Sequence, residues 1–203
     1  PESSHHEEGP GQNEIDFRFS DAMTAADNAM NFVTVVKAAA MHNGLFADFS
    51  PKPLDAMSGN GMHVNISICS TDGIDHTSQF MAGIMAHIRE MTAFFNNRPE
   101  SYKRLGEMKA PRYVTWSEEN RSQLIRIPAA VGENRRAELR SADSTANPYL
   151  AYALLIYAGL YGIENGLVLP PATDLNLYTA PAETLKTLRT LPGSLAEAVT
   201  LAD

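Results

Sequence analysis

Glutamates, one histidine and a group of arginines are the residues of this chain whose types and spacing could do chemistry. Glu7, Glu14, His63 and Glu138 all fall on predicted strands or turns. Oxygen ligands with a single imidazole suit Mg²⁺ or Mn²⁺ better than a closed zinc site, which prefers more histidine or cysteine. Eight of the eleven arginines lie within residues 98–140. Guanidinium groups hold carboxylates and phosphates in a fixed geometry, so metal ligands and arginines together predict phosphoryl transfer.

Each of these features also has a simpler interpretation. The arginines could form scattered surface ion pairs, and Glu138 could be the partner of its flanking arginines. Glu7 and Glu14 lie on either side of a Gly-Pro-Gly turn, where two carboxylates repel each other unless a cation lies between them. Two solvated glutamates beside a turn, with the preceding histidines on the surface, are the alternative.

Residues 62–68 alternate between apolar and polar side chains. A strand here would bury one face and align His63, Asn65 and Ser67 on the other. The glycines at 59 and 61 let the backbone turn sharply or approach a ligand. No helix follows this turn, so it is not a P-loop. A half-buried strand after a glycine turn, without a binding role, fits the same pattern.

Hydrophobic spacing and capping residues predict the elements that must position these groups. A capping box of Thr24 and Asp27 is expected to start the first helix, which is expected to be part of the core. The predicted helices cover residues 24–43, Thr77–Asn97, Tyr149–Ile163 after an Asn147 cap, Ala182–Leu188, and a segment starting at Ser194. The predicted strands are Glu14–Phe19, Leu45–Phe49, Met62–Ile68, Tyr113–Trp116, Gln123–Ile127 and Arg135–Arg140.

Composition excludes several classes of protein. The net charge of -8 over 203 residues argues against a nucleic-acid or anionic-membrane binder. The longest apolar run, Tyr149–Ile163, is shorter than the roughly 20 residues that span a bilayer. Cys69 is the one cysteine, which excludes an internal disulfide and fits a reducing compartment. We therefore expect a cytoplasmic protein.

Several motifs stand in the order seen in glutamine synthetases of the bacterial type, and the chain resembles that family over nearly its whole length. These motifs are His5–Glu7 with Gly11–Glu14, Lys52-Pro53, Gly59–Ser67, Tyr102–Leu105, Asn120–Ser122 with Arg126–Pro128, Arg136–Arg140 and Asp143–Leu150. The resemblance implies an α+β catalytic domain with a curved antiparallel β-sheet backed by helices. It also implies ATP-dependent condensation of glutamate with ammonia through γ-glutamyl phosphate.

The resemblance further implies roles for individual residues. Glu7 and Glu14 would bind one Mg²⁺ or Mn²⁺ ion, and His63 and Glu138 would bind the other. The residues implied in glutamate or transferring-phosphate binding are Ser58, Gly59, Arg104, Arg121 and Arg140. Those implied in ATP binding are Asn65, Ser67, Arg121, Arg126 and Arg136. Arg121, Arg140 and the loop position held by Lys109 are the implied catalytic positions.

Lys109 is the main departure from the family pattern. The family carries a glutamate in this Gly-x-x-Glu-Ala-Pro loop, where it attracts ammonium and takes its proton. A lysine reverses that charge, which is costly at a partly buried site. Glu107 could supply the carboxylate if the loop shifts. Smaller departures are Asn65, where a second histidine is common, and Ser58, where an asparagine is common.

Lys109 leaves other functions open. A ligase that joins glutamate to another amine is one, and a catalytically silent paralogue serving as an oligomeric or regulatory subunit is another. A nucleic-acid-binding module is disfavoured by the acidic charge. Tyr178 stands where some members are adenylylated, but the residues that follow it differ.

We expect residues 1–203 to be part of a single catalytic domain. The family's N-terminal β-domain and early catalytic strands would precede Pro1, and its last helices would follow Asp203. In the family the active sites form between subunits of a double ring, so we expect a homo-oligomer, a dodecamer at full length. The piece alone is expected to be inactive.

Overall fold

The computed structural model describes residues 1–128 and 136–203. Its strands are β1 Ser3–His6, β2 Asn13–Asp16, β3 Val64–Ile66, β4 Trp116–Ser117, β5 Ile125–Arg126 and β6 Ala137–Leu139. Its α-helices are α1 Ala22–His42, α2 Thr77–Phe95, α3 Pro148–Glu164, α4 Ala182–Lys186 and α5 Leu195–Ala202, and a 3₁₀ helix covers Pro99–Lys103. This mixture confirms the predicted α+β class.

The larger sheet has the strand order β3-β6-β5-β4. β3 and β5 both pair antiparallel with β6, as predicted, whereas β4 and β5 run parallel. Glu138 on β6 lies opposite Asn65 of β3 on one side and Arg126 of β5 on the other. This register brings polar residues from three separate segments to one place.

β1 and β2 form a separate antiparallel hairpin. The strand predicted at Glu14–Phe19 is shifted, because β2 begins one residue earlier, at Asn13, and ends at Asp16. β1 was missed because Ser3–His6 are polar and exposed throughout, which leaves no alternating pattern to detect. The predicted turn between Glu7 and Glu14 is present and places His5 opposite Glu14.

Helix α2 forms the centre of the core. It begins at Thr77 as predicted and ends at Phe95, two residues before the predicted end. Its predicted apolar stripe is buried, with Ile84, Ile88 and Phe95 fully inaccessible to solvent. The helix packs against α3 and α5, and its inner side also supports the sheet.

Helix α3 begins as predicted, because the Asn147 side chain accepts hydrogen bonds from the N–H groups of Tyr149 and Leu150. Although α3 is apolar on every side, only one face is buried, and Tyr157 is 75% exposed. Among the described residues, no helix combines the length and apolarity needed to cross a membrane.

The prediction for α1 was wrong at its start and in its burial. Asp21 is the N-cap and accepts the N–H of Thr24, so the capping box at Thr24 is not used. Ala26 is the one residue of the helix that is buried, so α1 is not a core helix in this chain. The helix ends before Asn43 and Gly44 as predicted.

The remaining predictions differ mainly in length. The strand predicted at Leu45–Phe49 is absent, and this segment is irregular with Leu45 and Phe46 exposed. β3, β5 and β6 lie within their predicted ranges but are shorter, since only the residues paired with a neighbouring strand belong to them. β4 covers Trp116–Ser117 and overlaps its prediction at Trp116 alone. Arg135, the predicted start of the last strand, lies outside the described residues. Ser194 caps α5 as predicted, and α4 ends at Lys186.

Glycines set the distance between α2 and α3. A Cβ added at Gly83 would collide with the main-chain carbonyl of Ala158, and one at Gly162 would collide with that of Gln79.

We expect Gly83→Ala to lower the free energy of unfolding by about 2 kcal/mol or more, because the backbones of α2 and α3 must separate. Gly193→Ala is the control, since its nearest neighbour would be the Glu197 carboxylate at 3.7 Å. Equal stability of both variants in chemical denaturation would contradict this account of the packing.

Candidate active site

Glu138 lies at the centre of a cluster of charged residues. Its Oε1 accepts a hydrogen bond from Arg140 Nη1 at 2.6 Å and lies 3.2 Å from His63 Nδ1. Its Oε2 accepts from Arg126 Nη1 at 3.2 Å. Burial alone would raise the pKa of Glu138, but the hydrogen bonds from His63 and Arg126 and the positive charge of Arg140 outweigh it and lower the pKa to about 2. The carboxylate is therefore ionised at neutral pH.

The polar face predicted for residues 62–68 is present. Val64 and Ile66 pack against the core, while His63, Asn65 and Ser67 lie on the opposite face, where the His63 side chain is packed beside Glu138 and only 29% exposed. Burial, reinforced by Arg140 and Arg104, lowers the pKa of His63 despite the opposing bond with Glu138. At neutral pH the imidazole is therefore available as a neutral ligand. Asn65 accepts a hydrogen bond from Arg136 Nε at 3.2 Å, which ties the two predicted nucleotide contacts together.

A second cluster lies on the β1–β2 hairpin. His5, Glu7 and Glu14 each place a ligand atom within 4.8 Å of the others. Burial first, and then the negative charge of Glu7, raise the pKa of the Glu14 carboxyl. A cation between the carboxylates would relieve that repulsion, so this donor set fits a divalent metal. His5 was not among the predicted metal ligands, although its spacing of two residues from Glu7, which directly follows β1, could have identified it.

The hairpin is held against the glycine turn by two side chains. Gln12 Nε2 donates to the carbonyl of Gly59 at 3.1 Å and to Asn60 Oδ1 at 2.9 Å. Ser58 Oγ donates to Glu8 Oε2 at 3.1 Å. These contacts link the residues predicted to bind metal to those predicted to bind glutamate. Sequence reasoning missed both Gln12 and Glu8.

Arg104 is buried beneath the turn. Its guanidinium donates to the carbonyls of Arg140, Ser141 and Ala142 at 2.9–3.2 Å. Burial lowers its pKa to about 10, so it remains charged at neutral pH. A Cβ on Gly59 would collide with the main-chain carbonyl of Pro51 and would also lie 3.0 Å from the Arg104 side chain, which explains why glycine is needed there. In this structure the guanidinium orients backbone carbonyls, and its predicted contact with glutamate stays a prediction.

The loop that carries Lys109 is fixed at several points. Met108 and Lys109 have positive φ angles of 41° and 71°, an uncommon conformation outside glycine. Lys109 Nζ lies 2.6 Å from Glu8 Oε1, and the Lys109 carbonyl accepts from Arg140 Nη2 at 3.3 Å. Tyr178 donates from its hydroxyl to the carbonyl of Ala110 at 3.2 Å. Adenylylation at Tyr178 stays a prediction.

Glu107, the alternative carboxylate of this loop, is already paired. Its Oε2 lies 3.3 Å from Nζ of Lys52, whose side chain is 3% exposed and also donates to the carbonyl of Met57. A buried ammonium needs such a partner, so moving Glu107 away would leave Lys52 poorly compensated. Glu107 therefore holds the loop to the Lys52 segment.

A cavity of about 710 Å³ opens beside this loop. It is lined by Glu8, Gly106, Glu107, Met108, Lys109, Arg112, Tyr113, Ser122, Leu177 and Tyr178. The lining combines both charges with aromatic and aliphatic surface, as small-molecule sites commonly do.

The side chains of Arg121 and Ser67 are both exposed. The main-chain carbonyl of Arg121 accepts from Arg140 Nε at 3.2 Å. Arg140 therefore touches the Arg121 segment, Glu138 and the Lys109 loop with one side chain. The predicted substrate and nucleotide roles of Arg121 and Ser67 stay predictions.

The fold is that of a family of synthetase catalytic domains. The chain belongs to the glutamine synthetase family, since a family model described as "Glutamine synthetase, catalytic domain" matches residues 1–203.

Particular relatives agree with this membership. The chain is 44% identical to the glutamine synthetases of Clostridium saccharobutylicum and Methanosarcina mazei, and 43% identical to that of Thermus thermophilus. Each match covers 98% of this chain and 48% of the relative, so the chain spans about half the length of the curated relatives it matches. A solved structure titled "GmaS/ADP complex-Conformation 1" has a TM-score of 0.89 at 32% identity, covering 98% of this chain and 50% of that one.

The three carbonyls bound by Arg104 provide a test of its structural role. We expect Arg104→Lys to lower the free energy of unfolding by about 3 kcal/mol, because one ammonium cannot span three buried carbonyls. Arg89→Lys is the matched control, because Arg89 forms an exposed ion pair with Glu197 that contributes little. If chemical denaturation finds the two variants equally stable, the bonds of Arg104 do not stabilise the fold.

Proposed function

We propose that the protein containing this chain is an ATP-dependent glutamate–ammonia ligase that makes glutamine. Glutamate would attack the γ-phosphorus of ATP through its side-chain carboxylate, releasing ADP and forming γ-glutamyl phosphate. Ammonia would then attack the acyl carbon, lose a proton and displace phosphate. The observation that carries the proposal is the Glu138 cluster, in which His63, Arg126 and Arg140 converge on one ionised carboxylate. It is the arrangement expected of a site for phosphates and a divalent cation.

The arginines around Glu138 have distinct proposed tasks. Arg140 is held by Glu138 and two backbone carbonyls, so its charge is fixed beside the cluster where a transferring phosphate would gain most from it. Arg121, on the adjacent segment, would contact both glutamate and phosphate. Arg126 and Arg136 would bind the phosphates of ATP. Asn65 and Ser67 complete the proposed nucleotide face, and the related GmaS structure contains ADP.

The acidic groups would hold Mg²⁺ or Mn²⁺. Glu7 and Glu14, with His5 beside them, would hold one ion, and His63 with Glu138 would hold the other. Ions held by these residues would supply positive charge that offsets the negative charge of the transferring phosphoryl group. Ser58, Gly59 and Arg104 form the proposed glutamate side of the site.

We further propose how the chain fits into the whole protein. Residues 1–203 would be part of one catalytic domain, and the protein would be a homo-oligomer, a double-ring dodecamer. The single cysteine supports a cytoplasmic location. The net charge of -8 is unfavourable for binding nucleic acid or an anionic membrane, so we propose neither as a partner.

A γ-glutamyl-amine ligase is the second candidate function, favoured by the charge of Lys109. This residue places an ammonium group in the cavity where a cationic substrate would otherwise bind. A catalytically silent paralogue is the third candidate, since repulsion by Lys109 could also abolish ammonia binding.

Phosphate release by the full-length protein tests these candidates. With ATP, Mg²⁺ and glutamate, we expect turnover that depends on ammonia, and we expect Lys109→Glu to retain it. Turnover only with other amines would establish the amine ligase instead. Turnover only after Lys109→Glu would indicate a silenced paralogue.

The hairpin metal site has its own test. We expect Glu14→Gln to raise the Mn²⁺ concentration needed for half-maximal phosphate release by about tenfold or more, because a charged ligand is lost. Glu2→Gln, an exposed residue beside the same hairpin, should leave that concentration unchanged. An equal metal requirement in both variants would remove Glu14 from the proposed ligand set.

A further inference from the structure

Glu8 is a carboxylate already bound to a primary ammonium group. Its Oε1 lies 2.6 Å from Lys109 Nζ, and its Oε2 accepts the hydroxyl of Ser58 at 3.1 Å. The serine fixes one carboxylate oxygen while the other faces the cation. A lysine side chain ends in an alkylammonium ion, so this contact is the one that an ammonium or alkylammonium ligand would make.

The position of Glu8 suits a nitrogen substrate. Glu8 directly follows Glu7, a proposed metal ligand, and its partner Ser58 directly precedes Gly59, a proposed glutamate contact. It also lines the cavity of about 710 Å³. That volume far exceeds the roughly 30 Å³ occupied by one small molecule such as water, so an organic group fits beside the charged end. Tyr113 and Leu177 offer it apolar surface.

The Lys109–Glu8 ion pair can be exchanged. The two side chains are 40% and 51% exposed, so water screens their attraction, and the lysine stem is flexible. The other cavity carboxylate, Glu107, is paired with the buried Lys52 instead. Of the two described carboxylates that line the cavity, Glu8 is thus the one whose cation a ligand can replace without exposing a buried charge.

We propose that Glu8 is the binding group for the charged end of the nitrogen substrate, either NH₄⁺ or a primary alkylammonium ion, and that Lys109 is the resident cation this substrate displaces. The inference rests on the proposed ligase function and names a specificity-determining pair within it. It also explains how the chain can carry a lysine in this loop. The lysine competes for a carboxylate supplied by the hairpin.

The two partners should affect substrate binding in opposite directions. In the full-length enzyme, with saturating ATP and glutamate, we expect Glu8→Gln to raise the KM for the nitrogen substrate about tenfold or more. Lys109→Met should lower that KM by severalfold, because it removes the competing cation and keeps the length of the side chain. The KM for glutamate should change less than twofold in both variants. Glu183→Gln, which breaks the exposed Lys186–Glu183 pair on α4, is the matched control.

The assay compares ammonium, methylammonium and butylammonium chloride, which separates the two sources of the ligand. The variant effects should appear with whichever of these the wild-type enzyme uses. A merely structural ion pair predicts KM changes of the same sign in both variants, or changes in kcat alone, and either result would overturn the inference. If the wild-type protein shows no turnover with any of the three, the proposed function fails and the inference falls with it. Turnover with an unchanged KM in Glu8→Gln overturns the inference alone.

Discussion

A buried carboxylate bound by two guanidinium groups and an imidazole is the interaction on which this site depends. Glu138 is 8% exposed, and without Arg126, Arg140 and His63 its ionised form would be disfavoured. Arg140 depends on Glu138 in turn, because its guanidinium is itself buried and needs a negative charge beside it. Removing one member leaves uncompensated charge in the interior, which is far more costly than losing a surface ion pair. The cluster therefore constrains the three short strands that carry it.

The positions of these strands follow from packing beneath them. β6 is paired with a strand on each side. Its residues Ala137 and Leu139, which flank Glu138, are buried against the core. Helix α2 supplies that core with its buried stripe, while glycines bring α3 close to it. The strands are too short to be stable alone, and they are ordered because their apolar sides cover α2. Rigid packing on one side thus holds charged groups in place on the other.

Sequence patterns predicted the elements whose periodicity is strong. They failed where a neighbouring segment of the fold determines whether a segment forms a strand or is buried. α2 and α3 were predicted nearly to the residue, because the apolar stripe of α2 and the Asn147 cap and Pro148 of α3 act locally. β1 could not be predicted from its polar residues, since only its pairing with β2 makes it a strand. The burial of α1 was also mispredicted, because periodicity shows which face is apolar but not what covers it. For the site, residue types identified Glu138, His63 and the hairpin glutamates as candidates, whereas the role of Glu8 and the pairing of Lys52 with Glu107 are apparent only from three-dimensional contacts.

The side chain of Arg140 joins parts of the site that would otherwise be independent. Its planar guanidinium binds Glu138, the carbonyl of Lys109 and the carbonyl of Arg121 at once. A rigid plane cannot shift at one of these contacts without disturbing the other two. A ligand that moves the Lys109 loop would therefore change the affinity of the Glu138 region for its own ligand, and thermodynamic linkage requires the reverse effect to be equal in size. The nitrogen and phosphate sides of the site would then be energetically coupled through one guanidinium group.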